Sequence, residues 1–387
     1  MVAISGDLSH PNGATSSRKA DHLRINLEED VAAKGVSSGF DAYRFMHCAL
    51  PDIDLDEVST ATEVLGWQLA SPLFISCMTG GTEQAARINM VLAETAAELG
   101  IALGLGSARV LLERPEALPS FAVRNIAPAV PLLANVGAVQ LNLGVSSGDC
   151  ARIVDMLGAD ALVLHLNALQ EALQPEGDTC FAGLLGRIET IAASLAVPVI
   201  VKEVGWGISA DLVTALLDAG VAAVDVAGAG GTSWSEVERH RLGGPAARTA
   251  AAFAGWGIPT AVALTQARAA APDGVIFASG GVRSGLDVAV ASALGADLVG
   301  VAGPFLRAAT FGTQACVDLG REWFEVLRIA MFCTGSRDLP ALRTSGRLVR
   351  EDGGPVPGAD GVTLVTSLIE TISDLRGTQV TRTAARG

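Results

Sequence analysis

Residues 198–227 read PVIVKEVGWGISADLVTALLDAGVAAVDVA. Two short apolar runs, Pro198–Lys202 and Ala223–Ala227, flank a stretch with helical spacing. A run that is apolar on both faces belongs to a sheet covered on both sides, and a helix between two such runs makes a parallel crossover. The unit repeats outward in both directions. Leu73–Cys77 (LFISC), Ile101–Leu105 (IALGL), Pro131–Asn135 (PLLAN) and Ala161–Leu166 (ALVLHL) precede it; Val275–Ser279 (VIFAS) and Asp297–Val301 (DLVGV) follow. Each is bounded by Gly, Asn or Ser and followed by a helical stretch. Eight units in about 230 residues are what closing a (βα)8 TIM barrel requires. An open, doubly wound sheet of similar strand number is the rival.

The expected α/β architecture therefore has four parts. Residues 1–17 form a flexible polar arm, and residues 18–71 an N-terminal segment with a helix near Arg18–Leu27. Residues 72–306 form the barrel. Residues 307–387 are a C-terminal helical extension, with helices at Thr313–Phe332 and Val362–Leu375. The longest connection lies between the sixth and seventh runs, with space for a loop and two helical pieces.

Composition narrows the class. Of 387 residues half are apolar, 18% are charged and the net charge is −14. So much apolar mass excludes a disordered chain, and the acidic balance argues against nucleic acid as a partner. The six cysteines form no Cys-x-x-Cys pair, which points to a reducing cytoplasm and away from disulfides or zinc. The first 17 residues hold no Lys, Arg or apolar run, so no secretory signal is expected. Val288–Leu306 is the most membrane-like stretch, but Asp297, its glycines and Pro304 fit a helix followed by a buried strand. No membrane partner is expected.

In a barrel the residues just after each strand line one mouth, where chemistry is built. The seventh run leads into Ser279-Gly280-Gly281-Val282-Arg283 and the eighth into Ala302-Gly303-Pro304. Glycines admit backbone N–H groups close to an anion, and loops seven and eight are the recurrent phosphate site of this barrel. The first run leads into Met78-Thr79-Gly80-Gly81, where flat backbone can lie against a planar ligand; a strand-to-helix turn capped by Thr79 fits those residues equally well. Gly104–Arg109 lacks the spacing of a dinucleotide loop and reads as a tight turn presenting Ser107 and Arg109.

The densest polar cluster follows the fourth run: His165, Asn167, Gln170 and Glu171. Glu171 offers a hard oxygen suited to Mg²⁺, which binds through one or two carboxylates plus substrate phosphates. Lys202, one of only three lysines, ends the fifth run, where a point charge suits an anionic ring or phosphate. Gly228–Trp234 reads as a flexible loop covering a ligand. Arg18, Lys19 and His22 fall on about one helical turn and could grip a diphosphate, though a solvated helix face reads the same.

The ordered set, from Arg18-Lys19-x-x-His22 through His165-x-Asn167-x-x-Gln170-Glu171 and Lys202-Glu203-Val204-Gly205 to Ser279-Gly280-Gly281-Val282-Arg283, resembles the type 2 isopentenyl-diphosphate isomerases, FMN-dependent barrel enzymes. The resemblance runs from about Arg18 to Leu306. It implies flavin contacts from Met78, Thr79, Gly80, Ser107, Asn135, Lys202 and Thr232, with Gly280, Gly281, Ala302 and Gly303 around the phosphate. Arg18, Lys19, His22, Arg109, Asn167 and Gln170 would hold the substrate, and Glu171 would hold Mg²⁺. His165 and Gln170 would serve the reaction as positioning groups, with reduced FMN as acid/base and NADPH as the reductant.

The implied activity is reversible isomerisation of isopentenyl to dimethylallyl diphosphate by a cytoplasmic homo-oligomer. Two alternatives are kept. One is an FMN oxidoreductase of the 2-hydroxy-acid oxidase type, which wants a His base and a nearby Arg; His240-Arg241 is the candidate pair, though it sits in a helix-like stretch, Ser235–Leu242, rather than at a strand end. The other is a non-catalytic barrel that binds a phosphorylated ligand. A purine-nucleotide dehydrogenase is disfavoured because Gly228–Trp234 contains no Cys.

Overall fold

All eight apolar runs become strands in the computed structural model, which describes residues 12–354 and Val356. Three strands precede them: β1 (Tyr43–Phe45), β2 (Thr62–Val64) and β3 (Trp67–Leu69). The runs are β4 (Leu73–Ile75), β5 (Ala102–Gly104), β6 (Leu132–Gly137), β7 (Ala161–His165), β8 (Val199–Lys202), β9 (Ala223–Asp225), β10 (Ile276–Ser279) and β11 (Leu298–Val301). One more, β12 (Leu348–Arg350), follows. Strands β4 to β11 pair in parallel and in chain order, and β11 returns to β4 through Val299–Leu73 and Val301–Ile75. The sheet is closed, which disposes of the open-sheet rival.

Two apolar layers follow from the alternation of side chains along a strand. Leu73, Ile75, Leu103 and Val201 belong to the large cluster shared with the surrounding helices. Phe74, Leu133, Ile200, Phe277 and Leu298 form a second cluster that contains no helical residue, and so fill the barrel interior. Val64 and Leu69 of the β2–β3 hairpin belong to this inner cluster, so the hairpin plugs one end of the barrel. Its turn is Leu65-Gly66, both with positive φ (52° and 79°), as a two-residue hairpin turn demands.

Strand entry points are fixed twice by the same device. Before β6, Arg124 Nη1 donates to the carbonyls of Ala127 (3.0 Å) and Val130 (2.9 Å) and pairs through Nη2 with Asp160, which accepts from Leu132 N. Before β10, Arg268 does likewise with Gly274 O (2.8 Å) and Asp297 (2.7 Å), and Asp297 accepts from Ile276 N. These clamps anchor the plugged end and leave the opposite mouth to be shaped by loops.

The N-terminal segment crosses that mouth. Its helix spans Asn12–Glu28, beginning before the expected Arg18, and packs on the helix Trp234–Arg241. Residues 1–11 of the expected arm, and the helix expected at Val362–Leu375, lie outside the described residues. The helix Thr313–Phe332 forms as expected and packs against the helices Glu83–Leu99 and Gly285–Ala293. Strand β1 pairs with β12, joining the N-terminal segment to the chain beyond the barrel.

Two expectations about the connection after β9 are corrected. It holds three helices, Trp234–Arg241, Gly244–Ala251 and Thr260–Ala270, where two were expected, because Gly243-Gly244 and Pro259 each break the run. Its first loop, expected to be flexible, is stitched down instead. Thr232 bridges Ala32, Ala229 bridges Pro259, and Ser233 N donates to Val31 O at 2.8 Å. No helix among the described residues is long and apolar enough to cross a membrane.

Candidate active site

A cavity of about 1070 Å³ occupies the mouth, and every site residue expected from the sequence lines it. That volume reaches the upper bound of pockets that hold one drug-sized ligand, so a planar cofactor and a small second molecule can share it. The strand ends supply Asn135, His165, Lys202 and Ser279, and the loops beyond supply Met78, Thr79, Ser107, Thr232, Gly280, Gly281, Ala302 and Gly303.

The first two loops lie flat on each other: Gly106 N donates to Thr79 O at 3.0 Å, and a Cβ on Gly106 would stand 2.5 Å from Thr79 C. On the next wall Asn135 Oδ1 lies 2.8 Å from His165 Nδ1. Because an amide oxygen only accepts, Nδ1 carries the proton and Nε2 keeps its lone pair. Gly137 leaves room for that edge of the ring, since a Cβ there would approach Nε2 to 3.3 Å. Burial first, then the positive charges of Lys202 and Lys19, push His165 down to about 3, so its ring is neutral near pH 7. Lys202 is buried and donates to Glu203 O at 2.6 Å, which turns its ammonium across the mouth. Asp225 braces β9 against β10 by accepting from Ser279 N (3.0 Å) and Ser279 Oγ (2.9 Å).

Cations also crowd the cavity around Lys19. Burial, followed by the charges of Arg18, Arg109 and Arg114, lowers Lys19 to about 8. In a chain of net charge −14, four cations this close create a local field that favours a polyanion. Each expected cation also has a protein partner. Lys19 Nζ donates to Ser107 O (3.0 Å), Arg18 Nη1 to Gln174 Oε1 (3.2 Å) and Arg109 Nη1 to Gln140 Oε1 (2.5 Å).

His22 Nε2 lies 2.9 Å from Glu238 Oε1, and this pair opens a network the sequence reading missed. Glu238 is fully buried. It also accepts from Gln174 Nε2 at 2.6 Å and Arg241 Nε at 2.7 Å, while Arg241 pairs with Glu176 at 2.8 Å. Burial pushes Glu238 up, but the hydrogen bonds and positive charge of His22 and Arg241 outweigh it and hold the carboxyl at about 2. The signal was there in Glu236-x-Glu238-Arg239-x-Arg241, a helix whose acids are each followed three residues on by an arginine. Arg114, Gln140 and Gln174 were missed as well. They are polar residues off the strand ends, and nothing in their spacing marks them.

The magnesium expectation fits a single-carboxylate site. Glu171 Oε1 accepts from Asn167 Nδ2 (2.7 Å) and Oε2 from Asp178 N (2.8 Å), which fixes the carboxylate at the cavity edge. Asn167 Oδ1 is buried without a partner, an acceptor that a metal-held water or a substrate donor would satisfy. Among the described residues no three His, Cys, Asp or Glu converge on a point, so the remaining ligands would be water and phosphate oxygens.

The flavin expectation fits too. Gly280 and Gly281 have φ of +101° and +72°, and neither backbone N–H has an acceptor among the described residues. Thr260 Oγ1 donates to Gly280 O at 2.6 Å and holds this cradle open toward the cavity. An anion there would find two backbone donors without a protein acceptor.

A family model described as FMN-dependent dehydrogenase matches residues 176–349. A protein of a Synechococcus species is 53% identical over 345 residues, covering 88% of this chain and 99% of its own length. A Nostoc protein is 50% identical, covering 87% and 96%, and one from Rickettsia africae 49%, covering 84% and 95%. All three are named isopentenyl-diphosphate delta-isomerase. Among solved structures, a lactate oxidase from Pediococcus acidilactici superposes with TM-score 0.60 at 17% identity, covering 87% of this chain and 94% of its own. A mandelate oxidase variant with (S)-mandelic acid gives 0.58 at 18%, covering 90% and 100%. At such identities the oxidases share the barrel and carry no argument about chemistry.

Proposed function

Because the chain belongs to the isopentenyl-diphosphate delta-isomerase family, we propose that it interconverts isopentenyl and dimethylallyl diphosphate with reduced FMN, Mg²⁺ and, as reductant, NADPH. The reaction moves a double bond: one proton is added at the terminal methylene, another leaves carbon 2, and there is no net redox. When bound, reduced FMN supplies acid/base chemistry at carbon.

The observation that supports this reading is the company the cavity keeps. Arg18, Arg109 and Arg114 gather around Lys19, and a neutral His165 and a buried Lys202 line the same mouth. Two of the carboxylates that line the cavity are engaged by protein groups: Glu171 by Asn167 and Asp178 N, Asp178 by Gln140 and Arg109. Arg18, Lys19, His22 and Arg109 bind the diphosphate, remote from the reacting carbons, so binding energy goes into orientation. Glu171 and Asn167 hold the metal against the same group. Gln170, buried 3.2 Å from Asn167 Nδ2, and His165, oriented by Asn135, set the position of the hydrocarbon. Trp234, edge-on to His22 at 5.2 Å between ring centres, lines the same mouth. A homo-oligomer acting in the cytoplasm completes the proposal.

Proton NMR of the flavin-loaded enzyme, incubated anaerobically with isopentenyl diphosphate, Mg²⁺ and NADPH, tests the reading through the appearance of dimethylallyl methyl signals. Gln170→Ala is expected to lower turnover at least tenfold while flavin affinity is kept; full activity in that variant contradicts the placement. The hydroxy-acid oxidase alternative finds no support in the site. His240 faces Arg239 and Glu29, Arg241 is committed to Glu238 and Glu176, and neither lines the cavity.

A further inference from the structure

A flavin phosphate brings a charge of about −1.5 to −2 into the cavity near neutral pH. The backbone donors of Gly280 and Gly281 offer only partial charges against it. Two arginines line the cavity on this side, Arg283 and Arg307. Arg283 has already given Nη2 to Gly230 O at 2.8 Å, where it ties the sixth loop to the seventh.

Arg307 is different. It lies on the short helix Gly303–Ala309 after β11, and its guanidinium makes no hydrogen bond or ion pair with any described residue. An exposed arginine of that kind usually extends into water. This one folds back along its own helix, with Nη1 and Nη2 standing 3.3 and 3.7 Å from the position a Cβ on Gly303 would take. Helical side chains lean toward the N-terminus, so the residue four positions on covers Gly303. A side chain at 303 would press on the guanidinium; glycine leaves it lying over the loop that faces the cradle.

We propose that Arg307 is a binding residue for the cofactor's phosphate, closing over the glycine cradle from the eighth loop and setting the preference for FMN over unphosphorylated flavin. The assignment rests on the FMN reading above. A planar fork meets two phosphate oxygens at once, which an ammonium cannot do. In a chain this acidic, a free guanidinium beside the cradle is what offsets the second phosphate charge.

The test compares two ligands in the same protein. Dissociation constants for FMN and for riboflavin are measured by quenching of flavin fluorescence, in the wild type and in Arg307→Ala and Arg307→Lys. Arg307→Ala should bind FMN roughly tenfold more weakly, the scale of one partly exposed charge-assisted contact, with riboflavin affinity unchanged. Arg307→Lys should fall between. An unchanged ratio of FMN to riboflavin affinity in Arg307→Ala overturns the assignment, and so does an equal loss for both ligands, which marks a structural role. A wild-type protein that binds neither flavin overturns the FMN reading itself, and Arg307 falls with it.

Discussion

Replacing Glu238 by Gln removes the negative charge from a side chain with no exposed surface, at the junction of two helices that both face the cavity. In the folded protein its carboxyl sits at about 2, against an ordinary 4.5. A depressed folded value means stability that is present above about 4.5 and lost as pH falls through 2. At roughly 1.4 kcal/mol per pH unit the difference amounts to about 3 kcal/mol at neutral pH. The amide should forfeit most of it. Its NH2 would face donors of His22, Gln174 or Arg241, and Arg241 Nη2 already lacks a partner.

The loss should fall on the docking of the helix Asn12–Glu28 onto Trp234–Arg241, since His22 and Arg18 reach Glu238 directly and through Gln174. Hydrogen exchange at pH 7 should then speed up on the order of a hundredfold over residues 18–27 of the variant, while β4–β11 keep their protection. Substrate affinity should drop with it, because three of the anion-binding groups, Arg18, Lys19 and His22, ride on that helix. Exchange over 18–27 equal to the wild type would refute the reasoning, as would a wild-type acid limb in urea titrations of the variant between pH 5 and 3.

His165, held near 3 by burial and by Lys202 and Lys19, should stay neutral from pH 5 to 8, so its ring proton shifts should not move in that range; a midpoint near 6.5 would contradict the buried, cation-flanked setting. Its depressed value also predicts stability that is lost below pH 6.5, by at most about 1.4 kcal/mol per unit, and His165→Gln should flatten that limb in urea titrations. Glu171→Gln should keep flavin affinity but raise the Mg²⁺ concentration for half-maximal turnover by about tenfold or more; an unchanged metal titration removes Glu171 from the metal site.

Strands were the most legible part of the fold, because they are buried on both faces and several of their apolar runs end in Gly, Asn or Ser, as with Leu132–Gly137 and Ile276–Ser279. The β2–β3 hairpin lies in the N-terminal segment, where the sequence suggests one helix and no strand, although Val64-Leu65-Gly66-Trp67 carries a two-residue turn. Its strands are three residues long, and their burial depends on the barrel floor beneath them. At the site, residues on strand ends or in glycine loops could be placed because the barrel dictates where those ends point. Gln140, Gln174 and Glu238 could not. They sit on helices or helical turns, where spacing gives a face but not a neighbour, and each owes its environment to a partner 38 to 216 residues away.

The central claim is that proton movement at carbon, without net redox, is the work of this mouth. It is tested most directly by reducing the flavin-loaded enzyme once, removing the reductant, and counting dimethylallyl diphosphate formed from isopentenyl diphosphate in D2O under argon. Many turnovers per flavin, with deuterium entering the product and the flavin still reduced, are the predicted result. One product or fewer per reducing equivalent, or a flavin that ends oxidised, would contradict it.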